Sequence, residues 1–288
     1  MTGNIAKLSL AEKTGIAAWT WAILLSYFDL RFAAVPLVLF VILCAGAPFL
    51  PGSCFFLPVV TRGSTGKKAV SLTFDDGPDP VSTPALLRIL SLHECKATFF
   101  VCGKNAEAYP DLMREIIAMG HSVGNHTYSH DNLIMLKNMG LLAGEIEKNQ
   151  NILEGLGIRT YVFRPPVGIT NPRLREVLRK NGLYTVNFSC RGPDGGNRRI
   201  KNLATRILGK IRSDDIVLLH DTCPIPAHCL SEWLGEVDML LRGIRKKGFS
   251  VLPLSELIGS PVMENHAGKH ALSCMENPQA NRNTAIMS

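Results

Sequence analysis

The chain has eight cysteines among its 288 residues, but no two of them form a Cys-x-x-Cys pair. A zinc site or redox centre built from cysteine thiolates is therefore not expected. No glycine-rich phosphate loop follows any candidate strand, which argues against a nucleotide-binding fold. Aromatic residues do not interleave with the basic ones, so the net charge of +7 does not indicate a nucleic-acid partner. This charge suits an anionic membrane surface or an anionic glycan.

Charge is also missing from residues 15–60, where only Asp29 and Arg31 are charged. A span within residues 32–50 has the length needed to cross a hydrocarbon core of about 30 Å. A cleaved signal peptide fits poorly, because the apolar region is too long and starts too late. We therefore predict that residues 1–60 hold one or more membrane-anchoring segments, with a bacterial inner membrane as the expected location.

The first apolar run, residues 15–28, is short for a membrane span. It is either a second, thin span that forms a hairpin or an interfacial helix rich in Trp19, Trp21 and Tyr27. These alternatives place the following domain on opposite sides of the membrane. The flanking positive charges leave the side open, because three precede the second run and three follow it: Lys7, Lys13 and Arg31, then Arg62, Lys67 and Lys68.

The rest of the chain divides into a Gly/Ser/Lys linker at 61–68, a domain at 69–260 and a polar tail at 261–288 that is predicted to be disordered. In the domain, apolar strand-like runs alternate with helical patterns. The candidate strands are 69–74, 97–101, 122–125, 161–163, 185–189, 215–220 and 250–252. The candidate helices are 83–92, 106–119, 141–156, 171–181, 200–212 and 230–247.

Short apolar strands that are each followed by an amphipathic helix predict an α/β fold with a parallel sheet covered by helices. Seven such strands fit a distorted (β/α)7-8 barrel better than an open doubly wound sheet. The deciding point is that every reactive motif falls at the C-terminal end of a strand, where β/α barrels place their active sites.

Two histidines, His126 and His130, are four residues apart. On a helical turn both rings project to one side and can share a metal. Asp76 offers a hard oxygen and completes a facial Asp-His-His set with open positions. Asp75 lies next to it in a strand and is expected to point to the opposite side, so it is better placed as a base.

Taken alone, the Asp-Asp-Gly-Pro sequence at 75–78 is typical of an ordinary turn. Its carboxylates, however, combine with the histidine pair and with His220 at successive strand ends. A metal, a free base and a free acid are what the hydrolysis of an amide or ester by activated water requires. The sequence therefore predicts a metallohydrolase.

The motifs at 73–78 and 126–130, in this order, resemble those of the polysaccharide deacetylase family, the NodB-homology domain of carbohydrate esterase family 4. The resemblance covers residues 68–257. It implies that Asp75 is the general base and that Asp76, His126 and His130 bind one divalent metal. Zinc is the first expectation, although a mixed N/O site also accepts cobalt, nickel or manganese.

The resemblance extends to Arg-Pro-Pro-Val-Gly at 164–168, where it implies that Arg164 orients the catalytic aspartate. Val167 stands where the family usually has an aromatic residue, and its N–H is expected to stabilise the oxyanion. The fourth motif is degenerate. Asp194 is the candidate for it, with a carboxylate expected to tether Arg164 but no neighbouring tryptophan.

The Leu-Leu-His sequence at 218–220 resembles the fifth motif, which implies that His220 is the general acid and that Leu218 lines the pocket for the acetyl methyl. The implied function is metal-dependent release of acetate from the N-acetyl groups of an amino-sugar glycan. Its substrate is a GlcNAc-containing polysaccharide or a lipid-linked sugar, and no protein partner is indicated.

Two alternatives stay open. A deformylase or an O-deacetylase would use the same machinery, and nothing in the sequence separates them. A non-catalytic glycan-binding protein on a degenerate fold would be expected to lose ligands or the base, whereas Asp75, Asp76, His126, His130 and His220 are all present.

Overall fold

The structure, a computed structural model, describes residues 8–50 and 52–266. All seven predicted strands are present in it, and four further short ones join them. The strands are β1 (Val59–Val60), β2 (Ala69–Asp75), β3 (Thr98–Val101), β4 (Ser122–Asn125), β5 (Ile158–Thr160), β6 (Val162–Phe163), β7 (Tyr184–Val186), β8 (Cys190–Arg191), β9 (Asp215–His220), β10 (Ser250–Val251) and β11 (Met263–Asn265).

Helices occupy all six predicted helical regions. The region predicted at 106–119 is two helices rather than one, because Pro110 cannot continue a preceding helix and instead begins the next. The helices are α1 (Leu10–Ser26), α2 (Leu30–Gly46), α3 (Ser82–Leu92), α4 (Gly103–Ala108), α5 (Pro110–Ala118), α6 (Met139–Gly155), α7 (Leu174–Lys180), α8 (Leu203–Leu208), α9 (Leu230–Lys246) and α10 (Leu254–Ile258).

The main sheet is parallel throughout, with the strand order β1-β7-β6-β4-β3-β2-β9-β8 and with β10 also paired to β2. The short segment 184–191 supplies β7, next to one end of this order, and β8, at the other end. Its first part pairs with β6, and its last part pairs with β9. Because eight residues cannot reach across a flat sheet of this width, the sheet must curl. The predicted barrel is thus present as a curled parallel α/β sheet.

Strand β2 lies at the centre of the core, and all seven of its residues are buried. Its alternate residues Val70, Leu72 and Phe74 pack among the helices outside the sheet. Burying such an aromatic or branched side chain contributes about 1.5–3 kcal/mol each. The other face of β2 points inside the curl, where Thr73 donates a hydrogen bond to the Val217 carbonyl. This alternation directs Asp75 into the curl at the C-terminal end of the strand.

Strand pairing crosses the predicted domain boundaries at both ends. Strand β1 belongs to the sheet, which therefore begins inside the segment assigned to residues 1–60. In the predicted linker, the N–H groups of Thr65 and Gly66 donate hydrogen bonds to the Asp214 carboxylate. In the predicted tail, β11 pairs antiparallel with β5. Residues 267–288 lie outside the described residues.

The N-terminal apolar segments form a helical hairpin. Gly15, near the start of α1, lies against the ring of Phe40, near the end of α2, so the two helices run antiparallel. Asp29 caps α2 by accepting a hydrogen bond from the Arg31 N–H. Residues Leu30–Phe49 are apolar and long enough to cross a membrane, with a mean hydropathy of 2.4, and α2 itself has no buried residue. Length and composition are the only basis for this candidate span.

Candidate active site

The reactive motifs converge at one edge of the curled sheet, as predicted. Asp75 ends β2, and His220 lies beside it at the end of β9. His126 directly follows β4 and Arg164 directly follows β6. A cavity of about 630 Å³ opens there, and all nine predicted site residues line it: Asp75, Asp76, His126, His130, Arg164, Val167, Asp194, Leu218 and His220.

Asp76, His126 and His130 form a compact donor set, whose ligand atoms lie within 4.8 Å of one another. The Asp76 Oδ1 atom is 3.4 Å from Nε2 of His126 and 3.0 Å from Nε2 of His130. This oxygen is buried and accepts no geometrically acceptable hydrogen bond from the described residues. Nδ1 of His126 donates to the Arg164 carbonyl at 2.6 Å, which leaves its Nε2 as the free ligand atom. These atoms fit one divalent metal ion.

The charges in this set reinforce one another. Burial acts to raise the pKa of the Asp76 carboxyl, but the close contacts and charges of His126 and His130 outweigh it and hold the pKa well below its usual range. Burial likewise acts to lower the pKa of His130, and its contact with Asp76 outweighs that and raises the pKa. An ionised carboxylate beside two imidazoles is a donor set typical of zinc and related metals.

The geometry that creates the set differs from the helical turn assumed from the sequence. Residues 126–130 form a loop in which Thr127 has φ 64° and His130 has φ 55°. Asp76 lies beyond the strand end with φ 77°, which redirects its side chain. For this reason Asp75 and Asp76 face the same cavity, and the expectation that they point to opposite sides is wrong.

Helix α6 fixes the histidine loop through two residues that sequence reasoning missed. The Glu145 carboxylate accepts hydrogen bonds from the backbone N–H groups of Tyr128 at 3.1 Å and Ser129 at 2.7 Å. Nδ2 of the fully buried Asn149 donates to the Thr127 carbonyl at 2.9 Å. Glu145 and Asn149 are four residues apart and so share one helix face. A pair of polar residues at this spacing, beside the apolar Leu142 and Ile146, was the available signal.

Asp75 is held by Arg164, whose side chain is 1% exposed and whose Nη1 donates to Oδ1 at 2.6 Å. The guanidinium also donates to the Thr73 hydroxyl and to two backbone carbonyls, those of Val186 and Asn187. Removing one partner from such a buried pair would leave an uncompensated charge. The second oxygen of Asp75, Oδ2, remains directed toward the metal-ligand set, 3.7 Å from Nε2 of His126.

Asp194 contacts His220 rather than Arg164, so the tether predicted for Arg164 is wrong. Nδ1 of His220 donates to Oδ2 of Asp194 at 2.8 Å. Burial acts to lower the pKa of His220, but this contact, with the charges of Asp76 and Asp75, outweighs it and raises the pKa to about 9. The imidazole is therefore protonated at neutral pH.

Val167 and Leu218 complete the cavity wall. Val167 lies in the 3-10 turn Pro166–Gly168 with φ 51° and ψ 12°, an uncommon conformation for a β-branched residue. Its side chain is 51% exposed where the family usually has an aromatic ring, and its N–H has no acceptor among the described residues. Leu218 is 4% exposed and supplies the apolar surface beside His220.

A curled parallel sheet with a candidate metal centre, a held carboxylate and an imidazolium at its C-terminal edge defines a hydrolase domain. A model of the polysaccharide deacetylase family matches residues 62–186. The chain is 34% identical over 207 residues to the chitooligosaccharide deacetylase of Azorhizobium caulinodans, covering 67% of this chain and 96% of the relative. It is 30% identical over 196 residues to a peptidoglycan-N-acetylglucosamine deacetylase of Bacillus cereus, covering 67% and 89%. The chain belongs to the polysaccharide deacetylase family, with the NodB-homology domain of carbohydrate esterase family 4.

Solved structures agree with this assignment. The crystal structure of a peptidoglycan N-acetylglucosamine deacetylase superposes with a TM-score of 0.64 and 32% identity, covering 71% of this chain and 94% of that chain. A mutant of a family pseudoenzyme with restored activity superposes with a TM-score of 0.62 and 26% identity, covering 69% and 71%. The family thus contains inactive members, and the activity of any one chain depends on its site residues.

Proposed function

We propose that this protein is a metal-dependent deacetylase that hydrolyses the N-acetyl group of an amino-sugar glycan and releases acetate. One observation carries the proposal. A donor set of Asp76, His126 and His130, with an unengaged buried oxygen, shares one cavity with a base and an acid that are each held by a buried charged partner. The chitooligosaccharide and peptidoglycan deacetylases among its relatives support the substrate class.

Asp76, His126 and His130 would hold the metal, with zinc as the first candidate and cobalt, nickel or manganese as alternatives. When bound, a divalent cation activates water and polarises the acyl carbonyl as a Lewis acid. Nδ1 of His126 is already fixed by the Arg164 carbonyl. The ring orientation required for ligation therefore exists without any rearrangement of the loop.

Asp75 takes the proton of the attacking water as the new C–O bond forms, and Arg164 holds the carboxylate in position for this transfer. The Val167 N–H is available to the developing oxyanion, where one such donor contributes about 3 kcal/mol. Leu218 receives the acetyl methyl. His220, charged at neutral pH, gives its Nε2 proton to the amide nitrogen as the C–N bond breaks, which yields acetate and a free amine.

The hairpin of α1 and α2 is proposed to anchor the domain in a membrane. Helix α2, with the following turn, is long and apolar enough to cross, and α1 at 17 residues is about 26 Å long. The start of α1 and the end of α2 both lie next to the domain. At the start of α1, the Ala11 N–H donates a hydrogen bond to the Phe55 carbonyl. Alkaline carbonate extraction of membranes tests this: retention of the full chain in the pellet supports insertion, and release of the protein contradicts it.

The activity is tested by measuring acetate released from chitotetraose by the full chain in detergent, with and without added zinc or cobalt. Asp75→Asn preserves the shape of the carboxylate but removes the base, and it should abolish release. The matched control Asp238→Asn alters a partly exposed aspartate–histidine pair that does not line the cavity and should leave activity intact. Formate release from formylated sugars would identify a deformylase instead. Neither product, with no metal bound, would overturn the proposal.

A further inference from the structure

One wall of the cavity carries three arginines, Arg191, Arg198 and Arg199, which all line it and are all exposed. Within the described part of the chain, no carboxylate lies within ion-pair distance of their guanidinium groups. Arg191 lies over the ring of Phe188, 5.2 Å from its centroid. Guanidinium groups bind phosphate oxygens in a bidentate manner. Three of them without a carboxylate partner among the described residues therefore form a candidate anion-binding site.

The segment that carries these arginines is fixed beside the general acid. The Arg199 N–H donates to the Asp194 carbonyl at 2.8 Å, and the Asp194 side chain holds His220. Nδ2 of Asn197 donates to the carbonyls of His220 at 3.0 Å and Thr222 at 2.8 Å. An anion bound by the arginines would therefore lie in the same cavity as the general acid.

Part of the lining of the same cavity is apolar and exposed. Val167 and Ile225 line it and are 51% and 68% exposed. Leu133 and Leu136, which follow the cavity-lining Asn132, are 61% and 76% exposed. We call these four residues the apolar rim: Val167 and Ile225 line the cavity, and Leu133 and Leu136 lie on the segment that continues from its lining residue Asn132. Exposed large apolar side chains near a polar site mark a surface that another apolar phase covers.

This apolar rim is continuous with the membrane hairpin. Between the exposed Leu133 and Leu136, the side chains of Ile134 and Met135 are buried in one cluster with Ala47, and Phe40 and Cys44 of α2 pack against that cluster. The loop at the cavity mouth and the end of α2 thus share a core. If α2 enters a bilayer, the loop that shares a core with its end lies close to the bilayer surface, and we expect the cavity beside this loop to open toward the headgroups.

We infer that the substrate is an amino sugar joined through phosphate or diphosphate to a lipid chain. The phosphate binds the arginines, and the lipid chain of the bound substrate lies along the apolar rim and extends into the bilayer. This inference rests on the proposed deacetylase function and specifies its substrate class. An uncharged polymer in water would use neither the arginines nor the rim.

The test compares three substrates with the full chain in phosphatidylcholine vesicles: polyprenyl-diphosphate-N-acetylglucosamine, N-acetylglucosamine 1-phosphate and chitotetraose. We expect R198Q/R199Q to raise KM and to lower kcat/KM about tenfold or more for both phosphorylated substrates. We expect chitotetraose hydrolysis to stay within about twofold. The matched control R88Q/K246Q removes two exposed charges from the outer helices α3 and α9 and should change nothing.

The rim is tested by L133S/L136S, which should lower kcat/KM for the lipid substrate several-fold and spare both water-soluble substrates. L92S, at a leucine of α3 that is 82% exposed, is the matched control. Insensitivity of the lipid substrate to the rim variant would overturn the lipid assignment. If kcat/KM for chitotetraose equals that for the phosphorylated substrates, and R198Q/R199Q leaves it unchanged, the inference is overturned and the deacetylase proposal stands. No acetate from any substrate would overturn that proposal and, with it, the inference.

Discussion

Replacing Asp194 by asparagine should shift the alkaline limb of the pH–activity profile to lower pH. The Asp194 carboxylate accepts the Nδ1 hydrogen of His220 at 2.8 Å and is the largest of the influences that raise the pKa of this imidazole. An asparagine oxygen still accepts this hydrogen bond, so the tautomer and the ring orientation persist. The negative charge that stabilises the imidazolium is lost.

The size of the effect follows from the pKa. With Asp194, the pKa of His220 is about 9 against an ordinary value of 6.5. This difference corresponds to about 3 kcal/mol in favour of the charged form. If the variant returns to the ordinary value, the protonated fraction at pH 8 falls from about nine-tenths to about 3%, roughly 30-fold. At pH 6 the fall is less than about twofold, because most of the ring is protonated in both proteins.

The assay is kcat/KM for acetate release between pH 5 and pH 10, measured with saturating zinc. Asp238→Asn, which alters the His93–Asp238 pair outside the cavity, is the matched control and should leave the profile unchanged. An Asp194→Asn profile with the same alkaline limb and only a uniform loss of rate would refute the assignment of His220 as the acid tuned by Asp194.

The same pair affects stability. The pKa of His220 is raised on folding, so the pair contributes stability that is fully present below about pH 6.5 and is lost as the pH rises through about 9. Urea unfolding should therefore show Asp194→Asn to be clearly less stable than the parent at pH 6. The two proteins should be nearly equal at pH 10. The opposite pH trend would contradict the assigned charge state.

Three further predictions concern the metal set and the backbone around it. Asp76→Asn should weaken zinc binding by at least about 100-fold in calorimetric titration, because it removes the only anionic ligand of the set. Glu145→Gln should weaken it about tenfold with little change in the unfolding midpoint, because the histidine loop loses a charged acceptor. Gly77→Ala should destabilise by about 1–3 kcal/mol in urea unfolding, because the new Cβ would clash with Oδ2 of the buried Asp221. Gly144→Ala, on a helix position with nothing within 4 Å, should not destabilise and is its control.

Several features of the site were accessible from the sequence because they depend on local rules. Strands of alternating or continuous apolar character gave the positions of β2, β4, β6 and β9, and parallel strands bring their C-terminal ends to one edge. Polar motifs directly after these strands had to meet there. Asp75, Asp76, His126, His130 and His220 were selected in this way, the family resemblance added Arg164, Val167, Asp194 and Leu218, and all nine line the same cavity.

Other features depended on contacts between distant segments. The family pattern links Asp194 with Arg164, but in the fold Asp194 contacts His220, which is 26 residues away in sequence. Arg164 instead donates to the backbone carbonyls of Val186 and Asn187. The left-handed conformations of Asp76 and His130 were equally hidden, because an aspartate or histidine adopts them when the surrounding contacts require it. Glu145 and Asn149 gain their roles only when α6 packs beside the loop.

The sequence by itself determined the α/β class, the strand ends and the identity of the reactive side chains, since hydrophobic periodicity and motif spacing are local properties of the chain. The tertiary structure decided that Asp75 pairs with Arg164 and that Asp194 pairs with His220. It also decided the curl of the sheet around the cavity and the packing of the loop at 134–135 in one cluster with the end of the N-terminal hairpin. These depend on packing between segments that are far apart in sequence, where the energy of each contact is set by burial and by the groups brought from other elements.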